Sequence, residues 1–281
     1  MLVQPRSSSS GGSSGDFGGA AQSETRYTVA ATSGPGGRME PEGTSTFAAG
    51  SQKTWHILPE EGYIIGNIMV DGRSVGAVDY YTLPDIRADH TITAAFLPQL
   101  DDVKPDAWYY DAVLSAYRQQ LLRGTSMHTF APEETVNRAM AAALLHRLSG
   151  EPSAPAAHYA DVSSADWYAQ PISWLTTQGL AFGFPDGGFH PTAPLTRQEL
   201  AALLYRYAAF RGLTVTAPEA RLADFADAGQ IDAWAREPLA WAAASGLLTA
   251  DDHNQLRPAQ IVTRAELSSI IIRFTRLLPQ L

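Results

Sequence analysis

Three arginines sit where a helix least favours them. Asn137-Arg138 opens "NRAMAAALLHRL", Thr196-Arg197 opens "TRQELAALLYRY" and Thr263-Arg264 opens "TRAELSSIIIRF". Thr and Asn are N-cap residues, so each arginine falls on the first helical position, beside unpaired N–H groups and the positive end of the helix dipole. A cation there costs about 0.3–1 kcal/mol. Two chemistries could offset that cost. The guanidinium could pair with a carboxylate of the protein, either the Asp that opens its own stretch or the Glu that follows it. Alternatively it could face a cleft and hold an anionic ligand bidentately, helped by the exposed N–H groups of the same turn. The residues alone leave both open.

The arginines belong to a repeat. Trp167 follows Trp108 by 59 residues and Trp234 follows Trp167 by 67; Arg138, Arg197 and Arg264 are separated by the same two intervals. Agreement of two landmarks at both offsets defines a threefold internal repeat. Each copy opens with an Asp six or seven residues before the Trp: Asp102, Asp161 and Asp227. Each Trp is either a core residue or a flat apolar wall of the kind sugars stack on.

A short helix is expected from about four residues after each Trp. Pro171 and Pro238 suit its first position, Ala112 stands there in the first copy with Asp111 as N-cap, and Gly179 and Gly246 suit the C′ position. The next loop carries Phe130, Phe189 or Leu256 two residues before a Pro, which reads as an apolar plug. The second helix is the clearest element. Leu200, Leu203, Leu204 and Tyr207 fall at i, i+3, i+4 and i+7, as do Leu267, Ile270, Ile271 and Phe274, and Ala141, Leu144, Leu145 and Leu148. Thr196 with Glu199 and Thr263 with Glu266 form capping boxes, so helix capping is the plain reading of both acids. Met140 replaces the acid in the first copy.

Composition bounds the function. The chain has 281 residues, no Cys and a net charge of −9, with mean hydropathy −0.14. Disulfides and thiolate metal sites are excluded. The acidic balance argues against nucleic acid as the main partner, and no apolar run is long enough to span a bilayer. No metal or cofactor motif is present; "PDGG" lacks the alternating carboxylates of a calcium loop. There is no Gly-x-Ser-x-Gly elbow at a strand-to-helix turn, no His-Glu-x-x-His and no phosphate loop, so no catalytic residue is assigned.

Residues 1–25 are Ser/Gly-rich, read as a disordered linker, and lack the apolar core of a secretory signal. Residues 26–98 alternate apolar and polar side chains in "RYTVAAT", "KTWHILP", "GYIIGNIMVDG", "YYTLPDI" and "HTITAAF", which gives four or five short strands with a hairpin at Val70-Asp71-Gly72. This zone resembles the divergent internalin-B-type repeats of bacterial surface proteins, through "YTVAATSGPGG", "EEGYIIGNIMVDGRSVG" and "ADHTITAAF". That resemblance implies a small β-rich spacer.

Residues 99–281 resemble three S-layer homology domains. "DVKPDAWYYDAV", "DVSSADWYAQPISWLTTQGLAFGFPDGGFHPTAPLTRQEL" and "DAGQIDAWAREPLAWAAASGLL" with "IVTRAEL" carry the likeness. The implied fold is a multidomain chain: a mainly α, pseudo-threefold trimer of helix–loop–helix repeats (99–155, 156–215, 216–281), with a small β-rich N-terminal domain. One helix of each repeat would pack centrally, with grooves between repeats. The implied function is non-covalent anchoring of an exported protein, at the bacterial cell surface, to anionic and often pyruvylated secondary cell-wall polysaccharide.

Carried over, the family's Thr-Arg-Ala-Glu motif falls on Thr196–Glu199, Thr263–Glu266 and, imperfectly, Asn137–Met140. The resemblance places Arg138, Arg197 and Arg264 against the ligand, with Asp102, Asp161, Asp227, Trp108, Trp167 and Trp234 framing the grooves. Glu199 and Glu266 are added to the sugar-binding set, second to their role in the caps. Gly124 and Gly183 serve as loop positions that need positive φ or close sugar approach; Ala250 replaces them in the third repeat. The second repeat matches the pattern best. The alternatives are the C-terminal anchor of a larger exported hydrolase and a self-associating surface-lattice protein.

Overall fold

The computed structural model describes residues 24–279, so the linker expected over 1–25 lies outside the described residues but for its last two. The described residues divide into two compact units, one holding 24–60 and 67–96, the other holding 61–66 and 97–279.

The strands are β1 (Arg26–Ser33), β2 (Gly37–Glu40), β3 (Gly43–Ala48), β4 (Ser51–Pro59), β5 (Tyr63–Val70), β6 (Arg73–Gly76), β7 (Tyr80–Ile86) and β8 (His90–Pro98). They form a five-stranded sheet in the order β3-β1-β8-β5-β6 and a three-stranded sheet in the order β2-β4-β7. The five apolar stretches are β1, β4, β5, β7 and β8. The additional strands β2, β3 and β6 all lie at sheet edges, where one side of the strand is unpaired and few apolar residues are needed. Val29, Ile68 and Ile92 of the larger sheet and Trp55, Ile57 and Ile86 of the smaller one are buried. The hairpin turn between β5 and β6 holds Asp71 and Gly72 at positive φ (50° and 75°), as a tight two-residue turn requires.

The helices are α1 (Tyr110–Arg118), α2 (Arg138–Leu148), α3 (Ala169–Thr177), α4 (Arg197–Phe210), α5 (Arg236–Ala244) and α6 (Arg264–Thr275). The first helix of each repeat begins two residues earlier than expected, so Pro171 and Pro238 are third helical residues. Tyr109 is the N-cap of α1 in place of Asp111. Proline tolerates this because the N–H groups of the whole first turn lack helical partners. Gly179 and Gly246 do stand at C′, each with φ +68°. The apolar stripes of α2, α4 and α6 are buried nearly throughout.

The expectation of a mainly α trimer of helix–loop–helix repeats is overturned. Helix is 30% and strand 24%, with two sheets. Nor do the two helices of a repeat pair chiefly with each other. The main helix contacts run between repeats: α3 on α2, α5 on α4, and α1 on α6. Loop backbone just before the second helices also joins the repeats. Val136 N–H donates to Val262 O (2.8 Å), Val262 N–H to Leu195 O (2.9 Å) and Leu195 N–H to Val136 O (2.8 Å). All three side chains are fully buried. This closed cycle of hydrogen bonds joins the repeats and fixes where every second helix starts.

Candidate functional site

Each of the three arginines reaches into the loop of another repeat through backbone and side chain together. Arg138 donates from N to Ala193 O (3.1 Å), from Nε to Phe189 O (3.0 Å) and from Nη2 to Phe182 O (3.0 Å). Arg197 donates likewise to Gln260 O (2.9 Å), Leu256 O (2.8 Å) and Thr249 O (3.0 Å). Arg264 closes the cycle onto the first repeat, donating to Glu134 O (2.9 Å), Phe130 O (2.8 Å) and Arg123 O (2.6 Å). The second helical N–H groups, of Ala139, Gln198 and Ala265, donate to Pro191, Pro258 and Pro132. The third are held by the caps Asn137, Thr196 and Thr263. The N–H groups expected to assist an anion are therefore already used, and the helix start is a protein–protein joint.

The same loop is gripped from its other side by the opening Asp of its own repeat. Asp102 accepts from Phe130 and Ala131 N–H (2.8 and 2.6 Å), Asp161 from Phe189 and His190 (both 2.8 Å), and Asp227 from Leu256 and Arg257 (2.9 and 2.7 Å). The second residue of each pair is left-handed: Ala131 at φ 57°, His190 at 57° and Arg257 at 51°. That conformation is unfavourable for residues with a Cβ. It turns two successive N–H groups towards one carboxylate, and the charge-assisted hydrogen bonds hold it there. The plug side chains Phe130, Phe189 and Leu256 are fully buried. The Asp and Arg do not meet as an ion pair; one plug residue's peptide groups lie between them.

Three grooves run beside these joints at corresponding positions. The first, of about 210 Å³, is lined by Arg138, Phe182, Glu199, Arg206 and Trp234 among others. The second, of about 150 Å³, includes Arg197, Thr249, Glu266, Arg273 and Trp108. The third, of about 380 Å³, includes Arg264, Arg123, Met140, Arg147 and Trp167. Each groove takes its N1 arginine from one repeat, its loop and second helix from another, and its tryptophan from the remaining one. The tryptophans are exposed at 68%, 59% and 52% for Trp108, Trp167 and Trp234, so they are walls and not core. Trp108 and Trp167 are held upright edge-on by Tyr109 and Tyr168, with ring centroids 5.4 and 5.2 Å apart.

The S-layer homology domain family model matches residues 99–142, 158–201 and 224–268. The chain carries three S-layer homology domains. It is 31% identical over 174 residues to an amylopullulanase of Thermoanaerobacterium thermosulfurigenes, a match covering 61% of this chain and 9% of that protein. It is 27% identical over 190 residues to the surface-layer 125 kDa protein of Lysinibacillus sphaericus, covering 66% and 16%. The cellulosome-anchoring protein of Acetivibrio thermocellus matches at 27% over 157 residues, covering 54% and 34%. The chain thus spans well under two thirds of each of these relatives.

Within the S-layer homology domains, one set of groove residues escaped the sequence reading: Arg147, Arg206 and Arg273. They lie nine residues after the N1 arginines, and that recurring interval was the available signal. Each also donates from Nη1 to a carbonyl near the end of the first helix: Leu121, Leu180 and Gly246 respectively. Burial pulls the guanidinium pKa of Arg138, Arg197 and Arg264 down, against the opposing fields of Glu199, Glu266 and Glu134. Glu199 and Glu266 both complete their capping boxes and still face the grooves. Gly124 and Gly183 line grooves but have no positive φ. A Cβ at Gly124 would lie 2.5 Å from Ser126 O, and one at Gly183 would lie 2.7 Å from Gly188 O. Close approach of the loop to itself, and at Gly183 of the Tyr159 ring as well, is what requires glycine there. Asp102, Asp161 and Asp227 do not line the grooves; they act one layer behind, on loop shape.

Proposed function

We propose that the three S-layer homology domains hold an exported protein on the bacterial cell wall, non-covalently and without catalysis, by binding secondary cell-wall polysaccharide in the grooves. The observation that carries this is the recurrence, three times, of an exposed tryptophan opposite two arginines across a groove of sugar-sized dimensions. A tryptophan face suits the apolar C–H face of a pyranose. A guanidinium has five N–H donors. Two on each N1 arginine are used by loop carbonyls, which leaves three for a ligand carboxylate or hydroxyl. Glu199 and Glu266 accept from sugar hydroxyls. Ligand carboxylates of the pyruvylated kind fit the arginine pairs, and Trp108, Trp167 and Trp234 supply the stacking. In this reading Arg138, Arg197 and Arg264 serve the site mainly by building it.

Residues 26–98 act as a spacer, in keeping with their resemblance to internalin-B-type repeats. The domains run 99–155, 156–215 and 216–281. The likeness to an amylopullulanase favours a second reading, in which this chain is the anchoring portion of a larger exported hydrolase. Self-association in a surface lattice is the competing role for the same grooves. Enzyme-free sacculi test the main proposal: they should retain the protein, and extraction of their non-peptidoglycan polymer should abolish retention. Equal retention before and after extraction refutes polysaccharide anchoring. Concentration-dependent sedimentation without polymer would support the lattice role instead.

A further inference from the structure

The three grooves are not electrostatically alike. Two of them set two arginines against one glutamate: Arg138 and Arg206 with Glu199, and Arg197 and Arg273 with Glu266. The groove closed by Arg264 has Arg264, Arg147 and Arg123, and no acid lines it. Two positions create the difference. Met140 stands where the other domains have Glu199 and Glu266, and Arg123 stands where they have Phe182 and Thr249. Arg123 is exposed, and among the described residues no carboxylate lies within 4.0 Å of it. Arg147 has only the exposed Glu151 at 3.8 Å. Glu134, and after it Asp102, act on Arg264 from outside the groove lining; Glu134 is exposed, and the Asp102 oxygens already accept from Phe130 and Ala131. After burial, the field of Arg123 pulls the Arg147 guanidinium further down while Glu151 opposes it, so these cations repel each other in a groove whose lining holds no acid.

We propose that this groove is a dianion site, selecting a polysaccharide unit that carries a doubly charged group of the phosphate-monoester class, whereas the other two accept singly charged or neutral sugars. The inference rests on the anchoring reading above. Three guanidinium groups can neutralise two negative charges and still donate to the oxygens of one phosphate. In the other grooves the glutamate repels a second ligand charge and accepts hydroxyl hydrogens instead. Met140 also keeps the site free of a competing internal carboxylate, at the cost of the reciprocal capping bond in α2.

The test uses the full chain and two small probes, glucose 6-phosphate as dianion and glucuronate as monoanion, followed by tryptophan fluorescence. Trp167 lines this groove, and Trp167→Phe assigns its share of the signal. Glucose 6-phosphate should perturb the Trp167 signal at concentrations well below those glucuronate needs. Arg123→Thr, which installs the third domain's residue, should weaken it about fivefold. Met140→Glu, which installs the other domains' acid, should weaken it about tenfold. Met140→Gln, equal in size without the charge, should bind close to the parent. Equal titration by the two probes, or unchanged affinity in both Arg123→Thr and Met140→Glu, overturns the proposal. Among the described residues the Arg123 side chain has no hydrogen-bond or ion-pair partner, so its variant should keep the parent's circular dichroism and melting temperature. Retention on sacculi separates the two levels. A protein retained through the polymer but silent at Trp167 refutes the dianion site alone, and loss of polymer dependence refutes the anchoring reading itself.

Discussion

Replacing Arg264 by Ala should destabilise the three-domain unit substantially, although Arg264 stands at a position where helix energetics disfavour it. The side chain is 6% exposed. It donates to Phe130 O at 2.8 Å and Arg123 O at 2.6 Å, and its guanidinium lies 4.5 Å from the Phe130 ring centroid. Each charge-assisted hydrogen bond contributes about 1.5–3 kcal/mol, and removing the donor strands a carbonyl. Relief of the unfavourable dipole interaction returns about 0.3–1 kcal/mol. The net loss is about 3 kcal/mol, because the two bonds share one side chain and part of the exposed space refills with water. At about 2–4 °C per kcal/mol for a unit of this size, the melting temperature should fall by about 6–12 °C. Urea denaturation followed by circular dichroism measures this directly. Arg264→Lys should recover only part of the loss, since an ammonium on a single stem cannot reproduce the planar fork that reaches both carbonyls. A change below about 0.5 kcal/mol for Arg264→Ala would refute the assignment of the N1 arginines as inter-domain staples, and would return them to purely ligand-facing roles.

Trp234→Ala should leave stability within about 0.5 kcal/mol, since the side chain is half exposed, while lowering polysaccharide retention several-fold; sacculus pull-down beside thermal melting checks both. The Asp161 carboxyl experiences desolvation that pushes its pKa up, but backbone N–H groups of Phe189 and His190 outweigh this and hold it below the usual Asp value. A depressed folded pKa contributes stability above the unfolded value of about 3.9, lost as pH falls through the folded value. Denaturation at pH 6 and pH 3 should therefore show Asp161→Asn costing more at the higher pH. Burial, reinforced by the 2.7 Å bond to Glu237, pushes the Tyr205 hydroxyl up to about 12. Its phenolate absorbance should appear about two pH units later than a free tyrosine, and Glu237→Gln should move it back down. Phe189→Ala should cost about 3–5 kcal/mol through the cavity it opens, read by the same urea titrations.

Repetition made the chemistry-bearing residues legible, and periodicity made the second helices legible. The five strands with apolar alternation were readable because each buries one face. Edge strands β2, β3 and β6 were not, because an edge is specified by pairing with a neighbour more than by its own side chains. The helix starts at α3 and α5 were misplaced because proline fits anywhere in a first turn, and the start of α1 followed from its alignment with them. Overall content was overestimated towards helix because the loops between helices are long and make their own inter-domain bonds. The arginines were read correctly as anomalous and incompletely as to cause. Their partners, Phe182, Thr249 and Arg123, are chosen by backbone carbonyl position, and a carbonyl leaves no mark in sequence. The acidic partners that sequence suggested for them, Asp102, Asp161 and Asp227, lie on the opposite side of the same peptide groups. Arg147, Arg206 and Arg273 could have been found by extending the motif one more helical turn.

The closing contact of the cycle has a mechanical consequence. Helices α1 and α6 are packed together, and Arg264 ties the last domain's second helix to the first domain's loop, 134 and 141 residues away in sequence. The polypeptide therefore enters and leaves the three-domain body at one seam. Tension arriving through the segment that leads into α1 pulls on that seam before it reaches the other two. Parting the first domain from the last requires release of the Phe130 and Arg123 carbonyls from Arg264, at the groove lined by Trp167. A polymer seated in that groove would strap the first and last domains together across the seam.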